Sequence, residues 1–288
     1  MQSTRVSFPD GSITGEGEVL LVDREASLVV VDATPFHPID HTWPDQPGDS
    51  GTISAGAATA RVAEAVMAAV SDEGALAVGT EIPVKRGAEG WTWLVGHRID
   101  DAIPDEIAVG ARATLAVDAG RRAALSRGHT ACHLASLALD AALADLWRKE
   151  IATDPLGNPD FEGRANQSSR IHADGSVDEY RLGKSLRKAG FDSEGFAASL
   201  ADREERINAR LGSWVGSAGA SRIDVDGPSI IDRRTWRCEL PEGAVGFLCG
   251  GTHVGSLDEF SSISVSLDLS DPHLLVMTTT ATPAASDH

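Results

Sequence analysis

The chain has 288 residues, a formal net charge of −18 at pH 7 and a hydrophobic content of 42%. This length is long for one hydrophobic core and suits two domains, and no run of 18 apolar residues predicts a membrane-spanning helix. The charge argues against a nucleic-acid partner, because it repels phosphates, and the three cysteines, Cys132, Cys238 and Cys249, form no even disulfide framework. We therefore expect a cytoplasmic protein with neither a DNA nor a membrane partner.

The first part of the chain, residues 1–117, is predicted to form a small β-barrel-like domain. Glu18–Val31 has the pattern of a strand, a turn and a second strand, and Trp91–Val95 has the pattern of another strand. Ala57–Val70 is rich in alanine with apolar residues at helical spacing, which predicts a short helix. Ile103–Ala111 would close this domain.

The second domain is predicted over residues 118–280 and mixes helices with strands, which makes the fold class α+β. A long helix over about Ala119–Glu150 is followed by a hairpin that turns at Asp174 and Gly175, and then by a second helix over Phe191–Leu211. Residues 281–288 are predicted to be a disordered tail. The remaining strands are predicted at Arg233–Glu239, Ala244–Cys249, Ile263–Leu267 and His273–Thr278.

Two pairs of potential metal ligands stand out in the second domain. His129 and His133 are four positions apart, so they share one face of the predicted helix, while Cys249 and His253 bracket a Gly-Gly-Thr loop. Three imidazoles and one thiolate form a good tetrahedral ligand set for a zinc ion (Zn2+). A single such pair is more often incidental, but two pairs in one chain favour a metal site. Thr130 stands where a HExxH protease requires glutamate, which excludes that class.

The same segments resemble the signatures of a known family. Cys249–Val254 resembles the Cys-Gly-Gly-Thr-His motif of the alanyl-tRNA editing domain, and His129–Leu134, after Arg121-Arg122, resembles its HxxxH helix. Thr34–Pro38 and Gln46–Gly51 resemble the family's Thr-Pro-Phe and Gln-x-Gly-Asp stretch. The chain is identified, over about residues 30–265, as similar to free-standing AlaX-type editing proteins, relatives of the editing half of alanyl-tRNA synthetase.

This resemblance implies a fold and an activity. The second domain would be the α/β editing domain shared by threonyl- and alanyl-tRNA synthetases. The protein would be a zinc-dependent hydrolase that acts on aminoacyl-tRNA, most simply Ser-tRNA(Ala) or Gly-tRNA(Ala), and the chain is too short to be a synthetase. The four metal ligands implied by the family motif are His129, His133, Cys249 and His253. The residues expected to contact the aminoacyl group are Thr130, Gln167 and Thr252.

The sequence departs from the family in two places. The family's Gly-Gly-Gly-Gln loop is replaced by His41–Gln46, in which Gln46 is kept but Trp43 and Pro44 stand where the flexible glycines would be. We expect Trp43 and Gln46 to contact substrate, with Trp43 either forming a wall of the aminoacyl pocket or packing between the domains. Gln167 stands in Gln-Ser-Ser, where the family has Gln-x-Gly-Ser.

These departures leave alternative substrates open. The rebuilt loop could suit a threonine-like or noncanonical hydroxy amino acid on tRNA(Thr). A different class of function is a non-catalytic RNA-binding module that zinc stabilises, for which a closed shell of four protein ligands would be typical.

Contact with tRNA requires local positive charge in this acidic chain. Lys184, Arg187 and Lys188 form one short cluster, and arginines at 203, 206 and 210 recur at helical spacing. Arg233, Arg234 and Arg237 precede the second ligand pair, and we expect Arg233 and Arg234 to bind tRNA phosphates. The alternative for each cluster is a solvated face or surface ion pairs.

Two further features have competing interpretations. Cys132 lies between two ligands and either competes for the metal or packs into the helix core, which its helical position favours. His37 and His41 are surface-loop residues, contacts to substrate, or part of an additional metal site with Asp40 or Asp45; the first of these is favoured.

Overall fold

A computed structural model of the protein describes residues 2–285 and shows a mixed α/β fold with a large multi-stranded sheet and few helices. The chain divides into two compact units. The first contains the chain up to Ala123 and two later segments, Ile223–Thr235 and Gly250–Thr252. The second contains Ala124–Arg222, Trp236–Cys249 and the chain from His253 onward. Each unit thus consists of more than one segment of the chain, whereas we expected two continuous domains.

The first unit is built mainly from strands. One sheet has the order β5-β9-β2-β3-β8-β6-β7. β5 also pairs with β6, so the first and sixth strands of this order are hydrogen bonded to each other. A short parallel pair joins β1 to β4. The strands are β1 Arg5–Val6, β2 Thr14–Asp23, β3 Leu28–Val31, β4 Ala33–Thr34, β5 Gly51–Ala55, β6 Ala58–Ser71, β7 Leu76–Val78, β8 Trp91–Ile99 and β9 Arg112–Val117.

The helix predicted over Ala57–Val70 is wrong, because this segment is strand β6. Its first residues alternate between exposed and buried, from exposed Thr59 to buried Val62, and its later residues from Ala65 to Ala69 are all buried. β6 pairs with β5, β7 and β8. Sheet pairing on both sides therefore outweighs the intrinsic helix preference of alanine.

The later part of the chain combines five helices with two sheets. One sheet has the order β10-β11-β16-β15 and the other the order β12-β13-β14. The helices are α1 Ala119–Ala142, α2 Glu162–Ala165, α3 Lys184–Lys188, α4 Ser193–Ala198 and α5 Leu200–Gly216. The strands are β10 Asn166–His172, β11 Gly175–Arg181, β12 Ser221–Val225, β13 Arg234–Leu240, β14 Gly243–Leu248, β15 Phe260–Asp271 and β16 Leu274–Pro283.

Three predicted boundaries are corrected here. Helix α1 ends at Ala142 rather than near residue 150. The predicted second helix is divided at Ser199 into α4 and α5, and α4 begins at Ser193, after the N-cap residue Asp192, whose side chain accepts the Gly195 N–H at 3.0 Å. The predicted tail over 281–288 begins too early, since β16 extends to Pro283, and its last residues, 286–288, lie outside the described residues.

Close packing fixes the start of α1 within the second unit. A side chain at Gly128 would overlap the carbonyl oxygens of His172 and Gly175 in the β10–β11 hairpin. Glycine therefore allows the helix to lie directly against the hairpin, one residue before His129. Among residues 2–285, no helix has the length and apolar character needed to cross a membrane.

Candidate metal centre

Four side chains meet in the second unit at one point. One ligand atom from each of His129, His133, Cys249 and His253 lies within 4.8 Å of the other three. The Sγ of Cys249 is 3.4 Å from Nε2 of His129 and 3.3 Å from Nε2 of both His133 and His253. All four predicted ligands therefore converge.

Helical periodicity and strand direction explain this convergence. His129 and His133 lie one turn apart on α1, and their rings are 4.6 Å apart. Strand β14 ends at Leu248, so Cys249 is the first residue of the loop that follows. The ring of His253 lies 4.5 Å from that of His129, which closes the group from the other end of the loop.

The chemistry and spacing of these atoms fit a divalent metal ion. A tetrahedral zinc site with its usual bond lengths would separate sulfur from each nitrogen by about 3.5 Å, close to the three separations seen here. Burial, together with the neighbouring His129, lowers the pKa of His133 well below its ordinary value. The imidazole is thus held neutral, which is the form that binds metal. His129 is buried, whereas the other three ligands are half-buried.

Thr130 supports a ligand from behind. Its hydroxyl oxygen lies 3.1 Å from Nδ1 of His253 and accepts the Val254 N–H at 3.2 Å. Thr130 is fully buried. The Thr130 hydroxyl thus orients a ligand ring, and its predicted contact with an aminoacyl group stays a prediction.

Gln46 and Thr252 are joined within the first unit by two hydrogen bonds. The Nε2 of Gln46 donates to the Thr252 hydroxyl at 2.8 Å, and its Oε1 accepts the Thr252 N–H at 3.0 Å. Gln46 is 1% exposed and Thr252 is 3% exposed. This pairing uses the whole amide of Gln46 to hold the backbone and side chain of Thr252, 206 residues away. Both residues form a buried brace, and their predicted contacts with substrate stay predictions.

Trp43 projects from a braced loop in the first unit. The carboxylate of Asp40 accepts the N–H groups of Thr42 and Trp43 at 2.7 and 3.1 Å and also pairs with Arg86. Pro44 follows and restricts the backbone further. The Trp43 side chain is nevertheless 48% exposed, so packing in a core is not its role.

The remaining predicted contact residues differ in their surroundings. Gln167 is exposed at an irregularity between β10 and β11, and its amide donates to the carbonyl of Asn166. Within residues 2–285 it forms no hydrogen bond with the four ligands. Arg233 is exposed, but Arg234 is 5% exposed, donates to the carbonyls of Ser229 and Ile230 and lies over the Phe8 ring. The predicted phosphate contact by Arg234 is therefore wrong, because its guanidinium is used inside the first unit.

Two aromatic residues that the sequence analysis did not single out pack against the ligands. The ring of His133 lies 5.1 Å from Trp236 and 4.5 Å from Phe247, and Trp236 also lies 5.3 Å from His253. These side chains come from β13 and β14. A strand ending at Cys249 was predicted, and the alternation of apolar residues along it could have indicated that Phe247 faces the ligands.

The remaining alternatives are settled by burial. Cys132 is buried, and its thiol lies 3.4 Å from Oδ1 of Asp178 rather than among the ligand atoms. Burial and the nearby Asp178 raise the pKa of Cys132 well above its usual value, so the thiol stays protonated. His37 is 5% exposed and the His41 side chain is 2% exposed, so neither is a surface residue. Among the residues that the structure describes, the four-ligand group is the one such cluster.

Another element of the N-terminal motif meets α1 in the first unit. Arg122 donates to the carboxylate of Asp49 and to the carbonyl of Pro35 at 2.8 Å, and the Arg122 and Asp49 side chains are buried. Within the first unit, Arg122 thus joins Asp49 of the Gly-Asp segment to Pro35 of the Thr-Pro-Phe segment. No protein-family model matches the chain, and a search of curated proteins finds no match either.

Proposed function

We propose that this protein is a zinc-dependent hydrolase that removes amino acids from mischarged tRNA, as AlaX-type editing proteins do. The substrates favoured by the resemblance are Ser-tRNA(Ala) and Gly-tRNA(Ala). The proposal includes the finer fold description, a small N-terminal barrel followed by an editing domain of the type shared by alanyl- and threonyl-tRNA synthetases.

One observation supports the proposal most strongly. Two short motifs about 116 residues apart, each chosen from the sequence for its likeness to the editing family, meet as a His3Cys ligand set. Their nitrogen and sulfur donor atoms suit zinc better than a hard cation such as Mg²⁺ or Ca²⁺, which prefers oxygen ligands. Within the second unit, the hydroxyl of Thr130 lies against the ring of the ligand His253.

The proposed reaction is hydrolysis of the ester between an amino acid and the terminal ribose. Water adds to the carbonyl carbon, the bond to the ribose oxygen breaks, and a free amino acid and intact tRNA result. When bound, zinc supplies Lewis-acid polarisation of a carbonyl and acidification of water. The chain itself fixes the ligand geometry, with His129 and His133 on one helical face and His253 held through Nδ1.

The test is deacylation of a small panel with the purified zinc-loaded protein. The substrates are Ser-, Gly- and Ala-tRNA(Ala), together with Thr- and Ser-tRNA(Thr). We expect hydrolysis of Ser-tRNA(Ala) or Gly-tRNA(Ala) and sparing of Ala-tRNA(Ala). Hydrolysis of none of the panel would contradict the proposal.

A second substrate class is favoured by the loop that bears Trp43. The Asp40 brace and Pro44 make this loop rigid, whereas the family has glycines there. A rigid aromatic wall could select a threonine-like amino acid, and the tRNA(Thr) substrates of the panel test that possibility. A non-catalytic module is favoured by the complete set of four protein ligands, and it predicts zinc binding and RNA binding without hydrolysis.

A further inference from the structure

The strongest concentration of positive charge lies in the second unit, where two segments distant in sequence run side by side. Residues 147–150 and 181–192 contain six cations and two carboxylates, a local charge of +4 in a chain of net charge −18. We call the six cations the basic surface. They are Arg148, Lys149, Arg181, Lys184, Arg187 and Lys188.

Backbone contacts hold the two segments together. Trp147 forms an antiparallel bridge with Phe191, and the Arg148 N–H donates to the carbonyl of Gly190 at 2.9 Å. The Lys149 ammonium donates to the carbonyl of Lys188 at 2.9 Å. The ring of Trp147 packs 5.1 Å from that of Phe191 beneath them. The charges are therefore gathered by the fold.

Most of this charge is not neutralised locally. All six side chains belong to exposed residues. Within residues 2–285, Arg148 pairs with Asp192 and the other five members form no ion pair. Lys184 and Lys188 lie one turn apart on α3 and so project from neighbouring positions on the same face.

The other two candidate clusters do not offer comparable charge. On α5, Arg203 pairs with Asp145, Arg206 with Asp202 and Arg210 with Glu242. In the third cluster, Arg234 is buried against Phe8. Arg233 and Arg237 of the third cluster are exposed, but the basic surface has more exposed cations than either of the other two clusters.

We propose that the basic surface binds the phosphate backbone of double-stranded RNA, and, if the proposed function holds, the acceptor stem of the tRNA substrate. Phosphate contacts need exposed cations and little apolar area. In the described part of the chain, none of the large exposed apolar side chains lies in this surface. A protein interface would require an apolar or aromatic centre, and membrane attachment would be strengthened by one.

The test compares two variants with equal changes of charge. Lys184→Gln with Lys188→Gln removes two cations from the basic surface. Arg61→Gln with Arg112→Gln removes two exposed cations from the first unit and serves as the control. Binding of uncharged tRNA(Ala) is followed by fluorescence anisotropy between about 50 and 200 mM salt.

We expect the salt dependence of the lysine variant to be weaker, with a slope of log affinity against log salt that is shallower by roughly two. Its binding should be about tenfold weaker, or more, at the lowest salt. The control should keep the slope of the unaltered protein. Equal slopes in both variants would overturn the proposal. Loss of binding to anionic phospholipid vesicles, with tRNA binding unchanged, would also overturn it.

A second measurement separates this proposal from the proposed function. Hydrolysis of a seryl ester of adenosine, which has no stem, should be the same in both variants if deacylation occurs at the metal centre. If neither the unaltered protein nor the variants hydrolyse Ser-tRNA(Ala) or the adenosine ester, the proposed function is wrong. The salt slopes then still test whether the basic surface binds RNA. If both variants deacylate Ser-tRNA(Ala) like the unaltered protein at all salt concentrations, the RNA surface fails while the function stands.

Discussion

The hydroxyl of Thr130 lies 3.1 Å from Nδ1 of His253, and this contact fixes which nitrogen of the imidazole faces the other ligands. With Nδ1 facing the Thr130 hydroxyl, Nε2 points toward the Cys249 sulfur 3.3 Å away. Groups that orient a metal-binding histidine in this way tune its affinity for metal. Thr130, which follows His129 in the first pair, thus orients His253 of the second pair.

Replacing Thr130 by valine keeps its shape and removes the hydroxyl. We expect Thr130→Val to weaken zinc binding by about 10- to 100-fold, and Thr130→Ser, which retains the hydroxyl, to bind within a few-fold of the unaltered protein. Competition with a chromophoric chelator measures both. If the valine variant binds zinc normally but loses deacylation, Thr130 acts on substrate, as the sequence had suggested.

The amide of Gln46 can be tested against an exposed glutamine. Gln46→Met removes both hydrogen bonds to Thr252 and should reduce the free energy of unfolding by about 1–3 kcal/mol. Gln167→Met is the matched control, and because Gln167 is exposed its stability should change by less than about 0.5 kcal/mol. Urea unfolding gives both values. Equal stability of the two variants would show that the Gln46 brace adds nothing.

Trp43 tests the origin of substrate choice. Because Trp43 is 48% exposed, Trp43→Gly should leave the melting temperature and zinc content nearly unchanged. If it contacts the aminoacyl group, the ranking among the panel substrates should shift about tenfold or more, the effect of 1–3 kcal/mol of lost contact. Trp43→Phe should shift it less. An unchanged ranking together with a lower melting temperature would make Trp43 a packing residue.

His97 gives a pH dependence with a defined sign. Complete burial lowers the pKa of His97 from 6.5 to about 4, and its nitrogens lie near the Val29 carbonyl and the Thr34 hydroxyl. Between these values the unfolded chain binds a proton that the folded chain does not, so stability decreases as pH falls below 6.5.

This contribution should amount to about 2 kcal/mol between pH 7 and pH 5. His97→Gln should lose that part of the pH dependence, even if its stability at pH 7 is lower. Urea unfolding of both proteins at the two pH values measures the difference. The same pH dependence in both proteins would contradict a buried, neutral His97.

The four candidate metal ligands could be predicted because each pair lies within a short motif of the sequence. His129 and His133 must share a face of any helix, and the Cys249 and His253 pair is joined by a short loop, so only the meeting of the two pairs depended on the fold. The hairpin was equally local, although its two-residue loop is Ala173–Asp174, one position before the predicted turn, because Gly175 already pairs with His172; Asp174 has a positive φ of 57°.

The features that could not be predicted from the sequence depend on contacts between residues far apart in the chain. Alanine-rich β6 is a strand only because β5, β7 and β8 pair with it. The burial of Arg234 depends on Phe8, and the engagement of Thr130 depends on His253, each more than 100 positions away. Nothing in the local sequence distinguishes a hydroxyl that faces substrate from one that braces a ligand.

The most direct test of the account is deacylation by one protein sample before and after removal of its metal. The unaltered protein should contain about one zinc per chain, lose hydrolysis of Ser-tRNA(Ala) when a chelator strips the metal, and regain it when zinc is returned. Cys249→Ala should lack both zinc and activity while remaining folded. Full deacylation by metal-free Cys249→Ala would contradict the account.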